Sequence, residues 1–335
     1  MAAKIKIGIV GSAGYTGGEL IRLLLNHPSV EIVFANSKSN SGKFIYEVHT
    51  DLLGDTELKF SDKLSDKIDV LFLCVGHGES KSFLNANKIS DKIKIIDLSQ
   101  DFRLNRQSSI VLRKWVYGLP ELNREKIKQA KNVANPGCFA TCIQLGLLPL
   151  AANGKLKNEI HISATTGSTG AGQSLSATSH FTWRNNNMSS YKAFEHQHLA
   201  EIGESISQLQ KGFDQEINFI PYRGNFTRGI IASIYMESDL SLKEAIQLFE
   251  KYYSSHPFIQ ISKTAIDLKQ VVNTNKCILF IEKHPAKNGA GKNKLMITSV
   301  IDNLLKGASG QAVQNMNLMC GLQETEGLKL KGSAF

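Results

Sequence analysis

The hydrophobic pattern of the first part of the chain predicts strands that alternate with helices. Residues 4–10 alternate between polar and apolar and then become apolar, as expected of a strand that enters a buried sheet. A glycine-rich stretch follows, and residues 19–25 then have apolar side chains at helical spacing. Further apolar strands are predicted over 30–35, 69–75 and 94–98. This alternation indicates an α/β fold with a Rossmann-type, doubly wound parallel sheet.

The second part of the chain has the pattern of an α+β domain. A helix is expected over 142–150 and another over 242–253, and a turn is expected at Asn288-Gly289. Strands are predicted over 159–165, 217–221, 229–236, 276–282 and 294–302. We therefore predict a first domain over 1–139 and a second over 140–305, with a C-terminal helix over 306–335 that completes the first domain and lines its cofactor site.

The glycine-rich stretch has the context of a dinucleotide site. Gly11-x-x-Gly14-x-x-Gly17 lies between a strand and a helix, where the backbone can approach a pyrophosphate and the helix N-terminus faces its charge. The next strand ends in Asn36-Ser37-Lys38-Ser39, without the carboxylate that holds the ribose hydroxyls of NAD, so we predict NADP. The predicted cofactor-binding residues are Gly11, Ser12, Gly14, Tyr15, Thr16, Gly17, Ser37, Lys38, Gly76, Ser99, Gly170, Gln314 and Asn315.

Cys138 is the candidate nucleophile. It follows the break at Pro136-Gly137 and precedes a predicted helix, where free backbone N–H groups and the helix dipole favour a thiolate. The alternative is a small buried hydrophobe, the usual state of a lone cysteine.

His198 is the candidate acid/base, because thiolate chemistry needs a proton carrier that works near neutral pH. Glu201 follows three residues later and shares a helical face with it if the segment is helical. His196 and His198 form a metal pair in the alternative interpretation, but no further ligand-rich cluster supports a metal site. We predict that Arg103, Arg228, Asn135 and Glu201 bind the substrate.

Composition narrows the class of protein. The chain has 335 residues, 42% of them hydrophobic, which suits two globular domains. Five scattered cysteines form neither a disulfide framework nor a CxxC pair, so we expect the reducing cytoplasm. The net charge is +9, but the basic residues are interleaved with acidic ones along the chain. No apolar run is long enough to cross a bilayer. These features argue against a nucleic-acid or membrane partner.

Taken together, the motifs resemble those of the N-acetyl-γ-glutamyl-phosphate reductase family, within the aspartate-semialdehyde dehydrogenase superfamily. The matches cover most of the chain: GxxGYTGxEL at 11–20, DLSxDFRL at 97–104, YGLPEL at 117–122, NPGCxxT at 135–141, GxxGAG at 167–172, HQHxxEI at 196–202 and GASGQAVQNMNLM at 307–319. The resemblance implies that Cys138 is the nucleophile, His198 the acid/base, and the glycine loop with Ser37 and Lys38 the NADP site. It also implies a homo-oligomer, a dimer or tetramer, that uses the second domain for catalysis and dimerisation.

One segment departs from the family pattern. The family pattern reads Phe-x-Pro-His-Leu-x-Pro-Met-x-Arg-Gly, whereas this chain keeps Phe219, Pro221 and Arg228 and changes the residues between them, 222–227. The sequence therefore does not determine the identity of the substrate's N-acyl group, and a larger or charged group is an alternative to acetyl.

The resemblance implies NADPH-dependent reduction of N-acetyl-γ-glutamyl phosphate to N-acetylglutamate 5-semialdehyde and phosphate, through a thioester on Cys138, in arginine biosynthesis. The same chemistry on another N-acyl-glutamyl, an aminoadipyl or an aspartyl phosphate is the first alternative. The second is an NADP sensor without catalysis, which would need neither Cys138 nor His198.

Overall fold

The computed structural model describes residues 3–104, 113–286 and 292–332. The turn expected at Asn288-Gly289 lies outside the described residues. The strands are β1 Ile5–Val10, β2 Val30–Asn36, β3 Phe60–Ser61, β4 Val70–Leu73, β5 Lys94–Asp97, β6 Val116–Tyr117, β7 Asn132–Ala134, β8 Ile160–Thr166, β9 Ser189–Ser190, β10 Ile217–Arg223, β11 Ile230–Glu237, β12 Ile259–Ser262, β13 Cys277–His284 and β14 Lys294–Ile301. The helices are α1 Tyr15–Leu25, α2 Glu79–Ala86, α3 Pro120–Lys128, α4 Cys138–Ala152, α5 Phe181–Arg184, α6 His198–Leu209, α7 Leu242–Tyr253 and α8 Gly310–Met319.

The chain divides into two compact units. The first unit contains Met1–Pro136 and Ala308–Lys329, and the second contains Gly137–Gly307 and Leu330–Phe335. The expected first domain ends at residue 139, so the unit boundary assigns Cys138 to the second unit instead.

The first unit is built on a parallel sheet, which confirms the predicted fold class. Its strand order is β3-β2-β1-β4-β5-β7-β6, and each neighbouring pair is parallel. The order reverses beside β1, since β2 lies on one side of it and β4 on the other. In open α/β sheets, ligands bind at the carboxyl ends of the strands at such a switch point. The loops that begin at Gly11 and Gly76 follow β1 and β4 and therefore lie at this point.

The second unit is built on a mixed sheet with the order β12-β13-β14-β11-β8-β10-β9. Its strands alternate between buried and more exposed residues, as expected of a sheet with one face packed against helices. The apolar helix α4 packs against β11 and β14 on the covered face and against α6. Because α4 is buried from Phe139 to Ala151, its N-terminus has a fixed position.

The prediction of a helix over 306–335 is wrong in its extent. A π-helical turn over Leu305–Ser309 leads into α8, which ends at Met319. Cys320 caps the helix, and Gly321 follows with φ of 71°, a left-handed conformation that ends a helix. No helix in the described part of the chain is long and apolar enough to cross a membrane.

Candidate active site

Cys138 is the first residue of α4. Gly137 caps this helix in an extended conformation, with φ of −70° and ψ of 151°. The thiol side chain is half-buried, and it packs so closely against Gly307 that a Cβ there would lie 2.8 Å from the Cys138 Cβ. The first N–H groups of a helix have no partner within the helix, so this end of α4 suits a reacting group that develops negative charge.

His198 is the first residue of α6 and lies against the backbone that precedes Cys138. A Cβ on Gly137 would come within 2.2 Å of His198 Nε2, so only glycine leaves room for the imidazole in this position. Glu201, on the same turn of α6, has its Oε1 3.9 Å from His198 Nε2. Its Oε2 accepts a hydrogen bond of 3.0 Å from the Gly137 N–H. The structure therefore brings Cys138, His198 and Glu201 together.

His196 lies behind His198, with 4.6 Å between the two ring centroids. Its Nδ1 accepts a hydrogen bond of 3.2 Å from the His198 N–H. Burial first, and the Lys192 charge second, lower the pKa of His196 to about 4, although Glu201 opposes the shift. Within the described ranges, no three histidine, cysteine or carboxylate side chains are grouped to hold a metal.

Arg228 forms a paired contact with a carboxylate of its own unit. Its Nε and Nη2 donate to the two oxygens of Asp302 over 2.9 Å and 3.1 Å. Asp302 is fully buried and also accepts from the backbone N–H groups of Asn273, Leu304 and Leu305. Sequence reasoning had no signal for this pair, because the two residues lie 74 positions apart.

Gly170, which we predicted as a cofactor contact, is exposed in the second unit. It lies in a short turn, Ser168–Ala171, where its N–H donates to the Gly167 carbonyl over 3.2 Å.

The glycine loop of the first unit is tightly packed around its backbone. Gly11 has φ of 76°, and a Cβ there would lie 2.5 Å from the Cys74 carbonyl oxygen. A Cβ on Gly17 would lie 2.6 Å from the Ser12 Cα, whereas a Cβ on Gly14 would meet only the Gly11 carbonyl oxygen, at 3.7 Å. Gly14 caps α1 without a side-chain hydrogen bond, and the first turn of α1 contains no acidic residue. This loop is therefore an open, uncapped helix N-terminus, which suits a phosphate.

The remaining residues of the loop differ in exposure. Ser12 is buried, and its hydroxyl donates to the Asn36 carbonyl over 2.9 Å. Tyr15 is 41% exposed at the start of α1, and the Thr16 carbonyl accepts from Ser309 Oγ over 2.8 Å. These contacts hold the loop to the end of β2 and to the start of α8.

The end of β2 has the polar character predicted for it. Ser37 is buried and accepts a hydrogen bond of 3.3 Å from Asn40, while Lys38 is exposed. After β4, the Gly76 N–H donates to Glu79 over 3.0 Å.

Ser99 and Arg103, after β5, are buried near Asp97. Ser99 donates to the Asp97 carboxylate over 2.8 Å, and Arg103 donates to the Leu98 carbonyl over 2.9 Å. Burial raises the pKa of Asp97 to about 6, against the opposing effects of hydrogen bonds from Ser80 and Ser99.

A buried amide cluster joins α8 to the end of β7. Asn135 donates to the Ala308 carbonyl over 3.0 Å and accepts from Asn315 over 3.0 Å. Asn315 also donates to the Gly118 carbonyl, and Gln314 donates to Glu324 over 2.7 Å. Asn315 Oδ1 is buried and has no hydrogen-bond partner among the described residues.

Sequence reasoning missed an aromatic and arginine cluster beside the candidate catalytic residues. The Arg223 guanidinium carbon lies 4.9 Å from the centre of the Tyr191 ring. The centres of the Tyr191 and His196 rings are 5.8 Å apart. Burial first, and the neighbouring Cys138 second, raise the pKa of the Tyr191 phenol to about 12. The available signal was the arginine at 223, in the segment that departs from the family pattern.

Comparison with known proteins gives matches over most of the chain. The profile described as "Semialdehyde dehydrogenase, NAD binding domain" matches residues 6–130. The profile described as "Semialdehyde dehydrogenase, dimerisation domain" matches residues 138–303. The N-acetyl-gamma-glutamyl-phosphate reductase of Bacteroides thetaiotaomicron is 57% identical over 332 residues, 99% of this chain and 100% of that protein. The protein of the same name from Flavobacterium johnsoniae is 56% identical over 331 residues, with the same coverage of both chains.

Solved structures with the same fold are more distant in sequence. Aspartate semialdehyde dehydrogenase II from Vibrio cholerae, complexed with ASA, has a TM-score of 0.73 at 14% identity and covers 96% of this chain and 99% of its own. Aspartate semialdehyde dehydrogenase with NADP from Candida albicans has a TM-score of 0.67 at 13% identity, over 95% of this chain and 99% of its own. At these identities the likeness concerns the fold alone.

Proposed function

The chain belongs to the N-acetyl-γ-glutamyl-phosphate reductase family, and we propose that it works through a thioester on Cys138. The reaction converts N-acetyl-γ-glutamyl phosphate into N-acetylglutamate 5-semialdehyde and phosphate, as a step of arginine biosynthesis. One observation carries the thioester proposal: a half-buried cysteine begins a helix whose capping glycine touches both the imidazole of His198 and the carboxylate of Glu201.

Cys138 acts first, as the nucleophile. Its thiolate attacks the acyl carbon, and the N–H groups of the first turn of α4 stabilise the oxyanion that develops there. The bond from carbon to the phosphate oxygen then breaks, phosphate leaves, and the acyl group stays on the sulfur as a thioester. When bound, the nicotinamide supplies the hydride that reduces this thioester.

His198 takes the proton of the Cys138 thiol before the attack, and returns a proton to the oxyanion of the reduced adduct. Release of the aldehyde then regenerates the cysteine. Glu201, which we predicted as a substrate ligand, is better suited to positioning. Its two oxygens face the Gly137 N–H and the His198 ring, so it fixes the imidazole relative to the helix that carries the sulfur.

Arg103 and Arg228 remain our proposed ligands for the phosphate and the α-carboxylate of the substrate. Their contacts limit how they can act, since Arg228 already neutralises Asp302 and Arg103 is buried. Each nevertheless carries the planar positive charge that suits a phosphate or a carboxylate.

The first unit fits NADPH by three of its features. Gly11 and Gly17 pack against the backbone of Cys74 and Ser12 and so fix the loop, while Gly14 leaves the uncapped N-terminus of α1 open. No carboxylate follows β2, and Ser37 with Lys38 suits a 2′-phosphate. Asn315 Oδ1 is a buried acceptor without a partner in the described part of the chain, and a carboxamide N–H would satisfy it.

We also propose a homo-oligomer in the reducing cytoplasm. The face of the second sheet that turns away from the helices has partly exposed apolar residues on β11 and β13, among them Ile231, Ile278 and Phe280. A second copy of the chain would cover this face, in agreement with the dimerisation profile. All five cysteines are free, which suits a reducing compartment.

The test of the thioester is the reaction run backwards. Oxidation of N-acetylglutamate 5-semialdehyde by NADP should depend on phosphate, and Cys138→Ser should lower its rate at least about a thousandfold, because a hydroxyl at neutral pH is a far weaker nucleophile. Mass analysis without phosphate should find an acyl adduct on the Cys138 peptide. Cys142→Ser, one helical turn away, is the matched control and should keep the adduct. Cys138→Ser with substantial turnover would refute the covalent step.

A further inference from the structure

Two arginines lie side by side at one edge of the second sheet. Arg223 ends β10, and Arg184, the last residue of α5, donates a hydrogen bond of 2.8 Å to the Arg223 carbonyl. Arg184 is only 7% exposed, and Arg223 is half-buried. Burial first, and the Arg223 charge second, lower the pKa of the Arg184 guanidinium. Two positive charges held close together and partly away from water are costly unless an anion compensates them.

The described residues provide no such anion. Neither guanidinium forms an ion pair with a carboxylate of the described part of the chain. Arg184 uses its donors on backbone carbonyls, those of Thr178 and Arg223. Arg223 differs, because its guanidinium hydrogen-bonds the Tyr191 phenol and its Nη1 makes a long contact of 3.4 Å with Thr178, while its Nε is buried without a hydrogen-bond partner in the described part of the chain. Arg223 therefore keeps donors for a ligand, and Arg184 holds the backbone around it.

The pair lies close to the candidate catalytic residues. The Arg223 guanidinium stacks on Tyr191, and the Tyr191 ring contacts His196, which in turn contacts His198. The Cys138 sulfur is near enough to affect the titration of the Tyr191 phenol. This series of contacts connects Arg223 to the candidate catalytic residues, so a substrate that reacts at Cys138 can extend to Arg223.

We propose that Arg223, supported by Arg184, is the specificity-determining residue for a carboxylate at the end of the substrate's N-acyl group. The enzyme then prefers an N-acyl-γ-glutamyl phosphate whose acyl group comes from a dicarboxylic acid. The proposal rests on the proposed function, and it concerns only the part of the substrate that the reaction leaves unchanged. Phosphate and the α-carboxylate occur in every substrate of the family, so residues that bind them are expected where the sequence keeps the family pattern. Arg223 lies where the sequence departs from it.

The test compares three aldehydes in the phosphate-dependent reverse assay. N-succinyl-, N-butyryl- and N-acetylglutamate 5-semialdehyde differ at the acyl end, and the first two have acyl chains of equal length. For the wild-type enzyme, kcat/KM should be about ten- to a hundredfold higher with the succinyl than with the butyryl compound, the usual value of a hydrogen bond to a charged group. Arg223→Leu should remove this preference, and Arg223→Lys should retain part of it because the charge remains. Lys243→Leu, which removes a positive charge from the exposed surface of α7, is the control and should keep the full preference.

Each outcome decides one point. Equal kcat/KM for the succinyl and butyryl compounds in the wild-type enzyme would overturn the inference without any variant. A loss in Arg223→Leu that is equal for all three aldehydes would also overturn it, because the arginine would then bind a part common to every substrate. Should Arg223→Leu fail to fold, Arg223→Gln takes its place, and the preference of the wild-type enzyme for the succinyl over the butyryl compound still tests the inference. Failure of the wild-type enzyme to oxidise any of the three would refute the proposed function instead.

Discussion

Gly137→Ala is the sharpest test of the arrangement around Cys138. The backbone at Gly137 has φ of −70° and ψ of 151°, a conformation that alanine also adopts, so the change adds a methyl group without backbone strain. That methyl carbon would lie 2.2 Å from His198 Nε2, and an ordinary contact begins at 3.4 Å, so the ring must retreat by about 1.2 Å. A displacement of roughly 1 Å in a catalytic group costs about a hundredfold in rate, or about 2.7 kcal/mol.

The assay is phosphate-dependent oxidation of N-acetylglutamate 5-semialdehyde, with kcat/KM compared between the variant and the wild-type enzyme. Gly203→Ala is the matched control, since Gly203 is also a neighbour of Glu201, lies within α6, and has open space where the added methyl group would go, with no atom within 4 Å. It should keep full activity and gain about 0.5–1 kcal/mol in helix stability. Gly137→Ala with activity within about threefold of wild type would show that the imidazole position does not limit the reaction.

Two predictions concern stability. The pKa of His196 is about 4 in the folded chain against 6.5 unfolded, so unfolding binds a proton between these values, and the free energy of unfolding should fall by about 3 kcal/mol as pH drops from 6.5 to 4. Urea titrations at several pH values should show a smaller fall in His196→Asn, and an unchanged fall would contradict the assignment. Asp302→Asn leaves Arg228 without its counter-charge and should cost about 3–5 kcal/mol of unfolding free energy at pH 7. A loss below about 1 kcal/mol would mean that water already screens the pair.

Local sequence signals were enough to predict the positions of Cys138, His198 and Glu201. Pro136-Gly137 marks the break after which a helix can begin, and the observed α4 starts directly after it at Cys138, four residues earlier than the helix predicted over 142–150. His198 and Glu201 are three residues apart, and the observed α6 places both on its first turn. These predictions depend only on helix geometry over a few residues, which tertiary packing did not override.

Contacts between segments that are distant along the chain could not be predicted from the sequence. Asp302 neutralises Arg228 from 74 positions away, and nothing near either residue signals the other. Arg223 and Arg184 likewise meet only because β10 and the segment before β9 are brought together by the fold. The extent of α8 was missed for a local reason, since the left-handed Gly321 that ends it resembles any other glycine in a polar segment.

Two cysteines of one helix have different environments. Cys138 and Cys142 lie one turn apart on α4, yet Cys142 is fully buried and its sulfur contacts the Ser299 carbonyl and hydroxyl at 3.4 Å and 3.3 Å. Burial raises the pKa of the Cys142 thiol well above its ordinary value, so this residue stays a protonated core side chain at any physiological pH. Cys138 shares the helix but not this environment, because it is half-buried at the helix N-terminus, directly after the Gly137 that packs against His198. The same helix thus places a buried structural thiol one turn from the thiol that we propose as the nucleophile.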